Sequence, residues 1–482
     1  MSDIGFRLKR LLEKRTFTGS FQAYTLGAIV ALGPFLLSVV CLASLDLLSG
    51  TWVETLDRQA FASAVVYVFG GALIVTGSYQ VILTRFLSDK IYAGEYSTLT
   101  ESLFPALVIT MSLCLLTGLP VMFLIDVSLL AKILILVLYN TVASLFVMMG
   151  FISSVSKYRM AVLAFVAAAL VGTTSGVYLG KVFQLEGLLA GYTLGQFIGV
   201  AIILISFGKD FGFPRKWDWG FLSYVTVFPI LIGIGLFQNL GIWVDKFIFW
   251  TSDLGISTYG FVTAPKYDSA LFLGFLTAQP AIVHFFVKLE AEFASDFHRY
   301  FDEVFFKSPY HKIEEAANNL RVQAVQALTA IAKIQGVITF LAAFMAEEIL
   351  RFVDLPVSQI GMFRSAVIGS FFLVVMLFTN VLLLYLDRQK EVFWAVVVLV
   401  IANTVMSFLS LKLGYQFYGF GFAFACLLAM GASLYFLLIR LENLEFGTFA
   451  GIPIQGQVKA SKALLARPGG LYGRYNNLGK KS

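Results

Sequence analysis

Uninterrupted apolar runs of about 20 residues recur along the whole chain, the length a helix needs to cross a hydrocarbon layer of about 30 Å. No water reaches that layer, so each run must satisfy its own backbone, as a helix does and a lone strand does not. The runs lack the alternation of apolar and polar residues that marks the strands of a membrane β-barrel. Composition agrees: 59% of the 482 residues are hydrophobic and 13% charged, against about 45–50% and about 25% in soluble domains. A water-soluble fold with so few charges would have no polar coat. An all-α integral membrane protein is expected.

Twelve candidate spans are legible: 23–48, 61–84, 102–125, 129–151, 160–180, 186–207, 221–250, 260–286, 331–350, 363–386, 392–413 and 417–440. With the N terminus inside, 27 of the 35 lysines and arginines fall on the inner side and six on the outer side, while Lys246 and Lys266 fall within spans. Cytoplasmic loops collect basic residues, so both termini are expected in the cytoplasm. Six spans precede the basic loop Lys209–Lys216 and six follow it, which predicts two six-helix lobes, residues 21–220 and 221–445. The first span of each lobe carries an early proline, Pro34 after Gly33 and Pro229 after Phe228. Matched helix bends often mark the pathways of repeat-built transporters; the alternative is that prolines are common in membrane helices and matched ones arise by chance.

Several chemistries are excluded. Cys41, Cys114 and Cys426 lie inside apolar spans, where cysteine acts as a small soft hydrophobe. His284, His298 and His311 are scattered, so no metal or cofactor is expected. Gly180-Lys181, Gly208-Lys209 and Gly479-Lys480 are each followed by a residue unsuited to a phosphate-binding loop. No Gly-x-Ser-x-Gly elbow occurs, and the soluble segments are too short for a catalytic domain. The chain is not expected to be an enzyme or to bind nucleic acid. Its net charge of +6 follows the topology signals, and the first apolar run is too long for a cleaved signal.

Ionisable groups inside a span are costly and mark function by default. Asp245 and Lys246 in the seventh span, and Lys266 and Asp268 in the eighth, form two balanced pairs flanking a short external loop, with Trp243 and Tyr267 beside them. They are candidates for a substrate path or gate, with a carboxylate available for proton coupling. The alternative is structural, an ion pair between helices or side chains reaching the outer interface. Arg85, Asp89, Lys90 and Glu95, between the second and third spans, are candidates for an inner gate. Glu347 and Glu348, near Arg351 and Asp354, read as ordinary interface charges.

Segment 287–333 is the one long polar insertion. Phe286, Leu289, Phe293, Phe297, Phe301 and Phe305 build an apolar stripe, Ser308-Pro309 interrupts it, and Ile313, Ala317, Leu320, Ala324 and Leu328 resume it. A cytoplasmic helical hairpin is expected, with Phe293, Phe297 and Phe301 either docking a partner or packing against the N-terminal helix. Residues 1–20 suit an amphipathic interfacial helix, and residues 446–482, rich in Gly and Pro, a flexible cytoplasmic tail.

Four stretches carry a family resemblance: Ile4-Gly-Phe-Arg-Leu-Lys-Arg-Leu-Leu-Glu13 with Tyr24 and Gly33-Pro34; Thr84-Arg-Phe-Leu-Ser-Asp-Lys-Ile-Tyr-Ala-Gly-Glu95; Asn239-Leu-Gly-Ile-Trp-Val-Asp-Lys-Phe-Ile-Phe-Trp250; and Tyr267-Asp268 leading to Glu290-Ala-Glu-Phe293. Together they resemble the Pel exopolysaccharide transporters, the PelG family, from the first residues to about Leu444. The pattern departs at Ala31-Leu32 and in the longer tail. The resemblance implies a bacterial inner-membrane protein with the two-lobed, MATE-like architecture of the multidrug/oligosaccharide-lipid/polysaccharide flippases. It would export an amino-sugar-rich polysaccharide for the biofilm matrix. Implied partners are a cytoplasmic glycosyltransferase, a membrane cyclic-di-GMP receptor and a repeat-containing scaffold subunit, with the hairpin as the glycosyltransferase contact. The alternatives are an ion-coupled multidrug or lipid-linked oligosaccharide flippase and a non-conducting scaffold of a polysaccharide synthase.

Overall fold

The structure, a computed structural model, describes residues 16–155, 158–214, 216–289, 293–306 and 308–449. Most of the expected N-terminal amphipathic helix and most of the tail lie outside the described residues. Among the described residues ten helices are long and apolar enough to cross a membrane. The first half holds α1 (Phe17–Ser49), α2 (Thr55–Tyr92), α3 (Ser97–Met122), α4 (Leu129–Val155) and α5 (Tyr158–Phe211). The second opens with α6 (Phe221–Val227), α7 (Pro229–Trp250), an antiparallel hairpin of β1 (Ile256–Thr258) and β2 (Phe261–Thr263), α8 (Pro265–Leu276) and α9 (Gln279–Lys288). It continues with α10 (Ala294–Phe305), α11 (Tyr310–Phe344), α12 (Ala346–Phe352), α13 (Ile360–Tyr385), α14 (Gln389–Leu413), α15 (Phe420–Glu442) and α16 (Leu444–Phe449). The bundle thus has a β end, bearing the hairpin, and a basic end, bearing α10 and the Lys- and Arg-rich loops.

Helix α5 has 54 residues, far more than one crossing needs. It folds back at Gln184, whose φ of 50° and ψ of −123° are not helical. A Cβ on Gly191 would lie 2.2 Å from the Gly176 nitrogen, and one on Gly195 would lie 2.4 Å from the Ala168 carbonyl oxygen. The two arms therefore pack antiparallel with their backbones in contact, the use membrane helices make of small residues four apart.

The two early prolines behave differently. Phe228 (φ −128°, ψ 55°) separates α6 from α7, and Pro229 takes the first position of α7. A side chain before proline is pushed out of the helical region, and Phe228 is so placed. Helix α1 runs without interruption through position 34, so of the two early prolines only Pro229 follows a break in its helix.

The halves meet along two seams, α2 against α7 and α1 against α9. At the first, a Cβ on Gly235 would lie 1.9 Å from the carbonyl oxygen of Gly77. At the second, the Tyr24 hydroxyl and His284 Nδ1 are 2.8 Å apart with their rings stacked. The buried apolar residues form one cluster shared by both halves at the basic end, from Leu83 and Phe151 to Val283 and Leu320. Toward the β end they divide into two main clusters, one in each half.

Helices α10 and α11 pack on each other and are tied to the end of α15 and to α16. Arg321 Nε donates to the carbonyl of Leu441 at 2.7 Å, capping α15, and its guanidinium pairs with Glu445. The Tyr300 hydroxyl donates to Thr448 at 3.0 Å. The phenylalanine stripe is not an open docking face. Phe293, Phe297 and Phe301 are buried, and Phe293 and Phe297 meet Tyr385 of α13 edge-on. The chain covers its own stripe because α13 ends beside it. Phe301→Ala is accordingly expected to lower stability by about 3 kcal/mol, seen as a lower melting temperature before any partner is added.

Candidate functional site

Asp245 and Lys246 come from the C-terminal third of α7 and Tyr267 and Asp268 from the first turn of α8; α7 packs on α14 and α8 on α13. Gly241, one turn before Asp245, lets Leu399 of α14 approach. That brings Asn403 against α7, where its amide donates to the Gly241 carbonyl at 2.9 Å and to Asp245 Oδ1 at 3.3 Å. The Ser407 hydroxyl donates to Asn403 Oδ1 at 3.0 Å and fixes the amide. The Tyr267 hydroxyl donates to Asp245 Oδ2 at 2.8 Å, and its ring stacks on Phe249 at 3.8 Å between centroids. Lys246 Nζ lies 3.8 Å from Asp245 Oδ1, donates to the Ile242 carbonyl at 3.1 Å, and sits over the rings of Trp243 and Phe275. Asp245 and Tyr267 have no exposed surface, so every polar group here must find its partner inside the protein.

Asp268 is held differently. Its Oδ2 accepts from the Trp250 indole at 2.9 Å and from the Ala264 N–H at 3.2 Å. Its Oδ1 is buried and has no hydrogen-bond partner. Lys246 is within electrostatic reach of both carboxylates, so two acids share one base. The sixth expected residue, Lys266, is exposed and makes no ion pair among the described residues. The charge cluster is interior to the second half. A cavity of about 300 Å3 between α2, α3, α4 and α7 is lined instead by Trp243, Phe247, Trp250, Tyr67, Tyr139 and Phe261 among others, and Asp245, Lys246 and Tyr267 do not border it. Asn403 and Ser407 were missed by sequence reasoning, although a carboxamide inside an apolar run is itself a signal.

At the basic end, Arg85 of α2 crosses the seam. Its Nη1 donates to Asp387 Oδ1 at 2.9 Å, its Nε lies 3.8 Å from Asp89 Oδ2, and its guanidinium covers the Phe228 ring. The Tyr224 hydroxyl of α6 donates to Asp89 at 3.0 Å. Arg85 and Asp89 thus link the halves, through two residues not singled out in the sequence. Lys90, in the last turn of α2, instead pairs with Glu95 just beyond the helix end at 2.7 Å. A double-mutant cycle of Arg85→Ala with Asp387→Asn is expected to give a coupling of about 1 kcal/mol, measured by thermal unfolding. Asparagine is the right partner variant because Asp387 sits at φ 59°, a region asparagine tolerates.

The family model of PelG, described as "Putative exopolysaccharide Exporter (EPS-E)", matches residues 1–449. No curated protein gives a significant match. Among solved structures, an outward-facing multidrug resistance MATE family transporter of the MOP superfamily superimposes with a TM-score of 0.65 at 12% identity, over 87% of this chain and 96% of that one. A mutant of the Vibrio cholerae MATE transporter VcmN gives 0.63 at 11% identity, over 91% and 98%. A MOP superfamily transporter from Pyrococcus furiosus gives 0.62 at 12% identity, over 87% and 96%. At such identities the likeness is one of fold.

Proposed function

The chain belongs to the PelG family of exopolysaccharide exporters, and from that premise we propose that it carries a Pel-like amino-sugar polymer out of the cytoplasm of a bacterium for the biofilm matrix. In this reading the chain crosses the inner membrane twelve times with the basic end in the cytoplasm, the two arms of α5 counting as two crossings. The observation that carries it is the division of the core. The halves share one apolar cluster at the basic end and keep separate main clusters toward the β end, as expected of two bodies that rock about a common base. A cytoplasmic glycosyltransferase would deliver the polymer at the basic end, beside a cyclic-di-GMP receptor and a scaffold subunit. It would meet the outward face of α10, with His298, Arg299 and Asp302, because the phenylalanines are buried.

Polymer assayed inside spheroplasts and in the medium, with and without this chain and at constant glycosyltransferase level, tests the reading. Polymer trapped inside supports export; polymer still reaching the medium overturns it. A second reading, a scaffold that orients a synthase without conducting sugar, draws on the complete pairing of Asp245, which suits a structural lock. Asp268→Asn separates the two. Asparagine keeps an oxygen for Trp250 and Ala264 and removes the charge with little change of shape, and a melting temperature taken beside export reports the cost of burying its NH2 where Oδ1 has no partner. An ion-coupled exporter is expected to lose at least about tenfold in export while assembling normally, since about 1.4 kcal/mol of lost coupling suffices; a scaffold keeps full export.

A further inference from the structure

At the β end one small element of the second half is built into the first. The turn between β1 and β2 has φ of 49° at Tyr259 and 82° at Gly260. Two positive φ values in a two-residue turn suit asparagine and glycine, and an aromatic residue there is strained. Close backbone packing on the first half offsets the strain. The Tyr259 carbonyl accepts from the Asp126 N–H at 2.9 Å, and Gly260 lies against the same stretch of backbone, so close that an added Cβ would lie 2.6 Å from the Leu124 carbonyl oxygen. On β2, the Tyr67 hydroxyl of α2 donates to the Val262 carbonyl at 2.8 Å and accepts from the Val262 N–H at 3.2 Å. The Ser63 and Thr263 hydroxyls are 3.4 Å apart. Phe261, 1% exposed, belongs to the apolar cluster of the first half, not to that of its own half.

We propose that the β1–β2 hairpin is a releasable strap that holds the β ends of the halves together, and that it lifts off α2 each time the halves part. The inference rests on the exporter reading for its role in transport, but the lifting itself is measured without transport. The first-half groups that hydrogen-bond the strap lie between residues 63 and 126, while its roots continue into α7 and α8. Separation of the halves at the β end must therefore pull Phe261 from its socket and break the paired bonds to Tyr67. These bonds are polar, few and at the margin of the bundle, so they reform readily, unlike the shared core at the basic end.

Two measurements decide it. With Thr263→Cys as the probe, buried at 6% exposure, a bulky maleimide labels the purified full chain only when the strap lifts. Labelling within minutes to hours is expected, about tenfold faster with Tyr67→Phe added, as expected for about 1.4 kcal/mol of lost hydrogen bonding. Complete protection in the folded protein overturns the strap, whatever export does. Ser63→Cys with Thr263→Cys places two sulfurs where hydroxyls now face each other. After oxidation, export is expected to fall at least about tenfold and to return on reduction, which also shows that the variant folds. Undiminished export by fully cross-linked chain overturns a role for lifting in export. Polymer reaching the medium when the chain is deleted instead marks failure of the exporter reading.

Discussion

Asp245→Ala is expected to destabilise the folded chain by about 3–5 kcal/mol, the usual consequence of removing one partner from a buried ion pair. Its carboxylate accepts from Tyr267 and Asn403 and faces Lys246. Alanine leaves the buried Tyr267 hydroxyl without its acceptor, takes from Lys246 its adjacent counter-charge, and leaves Asn403 and Lys246 only the Gly241 and Ile242 carbonyls; an orphaned buried group costs about 1–3 kcal/mol, more where it is charged. The cluster also joins α7, α8 and α14, so the loss spreads over three helices. Thermal unfolding in detergent measures it; a change below about 1 kcal/mol would show that Asp245 is not the hub. Asp245→Leu combined with Lys246→Met is expected to recover part of the loss, because a neutral apolar pair often matches a buried ion pair in stability. A chain rescued in stability but still silent in export would assign the cluster to coupling as well as to packing.

Gly235→Val is the second large effect, at about 3 kcal/mol or more. The new Cβ would lie 1.9 Å from the Gly77 carbonyl oxygen, which is backbone and has no rotamer to escape into. Helices α2 and α7 must part along the whole seam, and Asn239, whose amide would lie 2.1 Å from a Cβ on Gly77, loses its place too. Gly431→Ala is the control. It lies within α15 with nothing within 4 Å of its added Cβ, so its effect is expected within about 0.5 kcal/mol. Equal melting temperatures for the Gly235 and Gly431 variants would sink the argument.

Local signals served well for the elements. The run at 160–180 and 186–207 read as two spans, and α5 turns between them at Gln184. The break before Pro229 follows from the chemistry of that dipeptide. Phe297 and Phe301 show the limit: periodicity revealed an apolar stripe but not its cover, because Tyr385 is remote in sequence. Arg85 was legible as a charged gate candidate, whereas Asp387, 302 residues away, was one loop acid among several.

The sequence by itself determined that the chain is helical and lives in a membrane, since hydrocarbon forces each apolar run to satisfy its own backbone. It also determined which residues are too polar for their surroundings, and hence that Asp245, Lys246 and Asp268 need partners. The tertiary structure alone decided which partners they have. Asn403 reaches Asp245 only because Gly241 lets α14 close on α7, and Phe261 enters the core of the opposite half only because the hairpin crosses the seam. Burial and pairing in a membrane depend on where helices meet, and a helix carries on its surface no local record of the neighbour it will find.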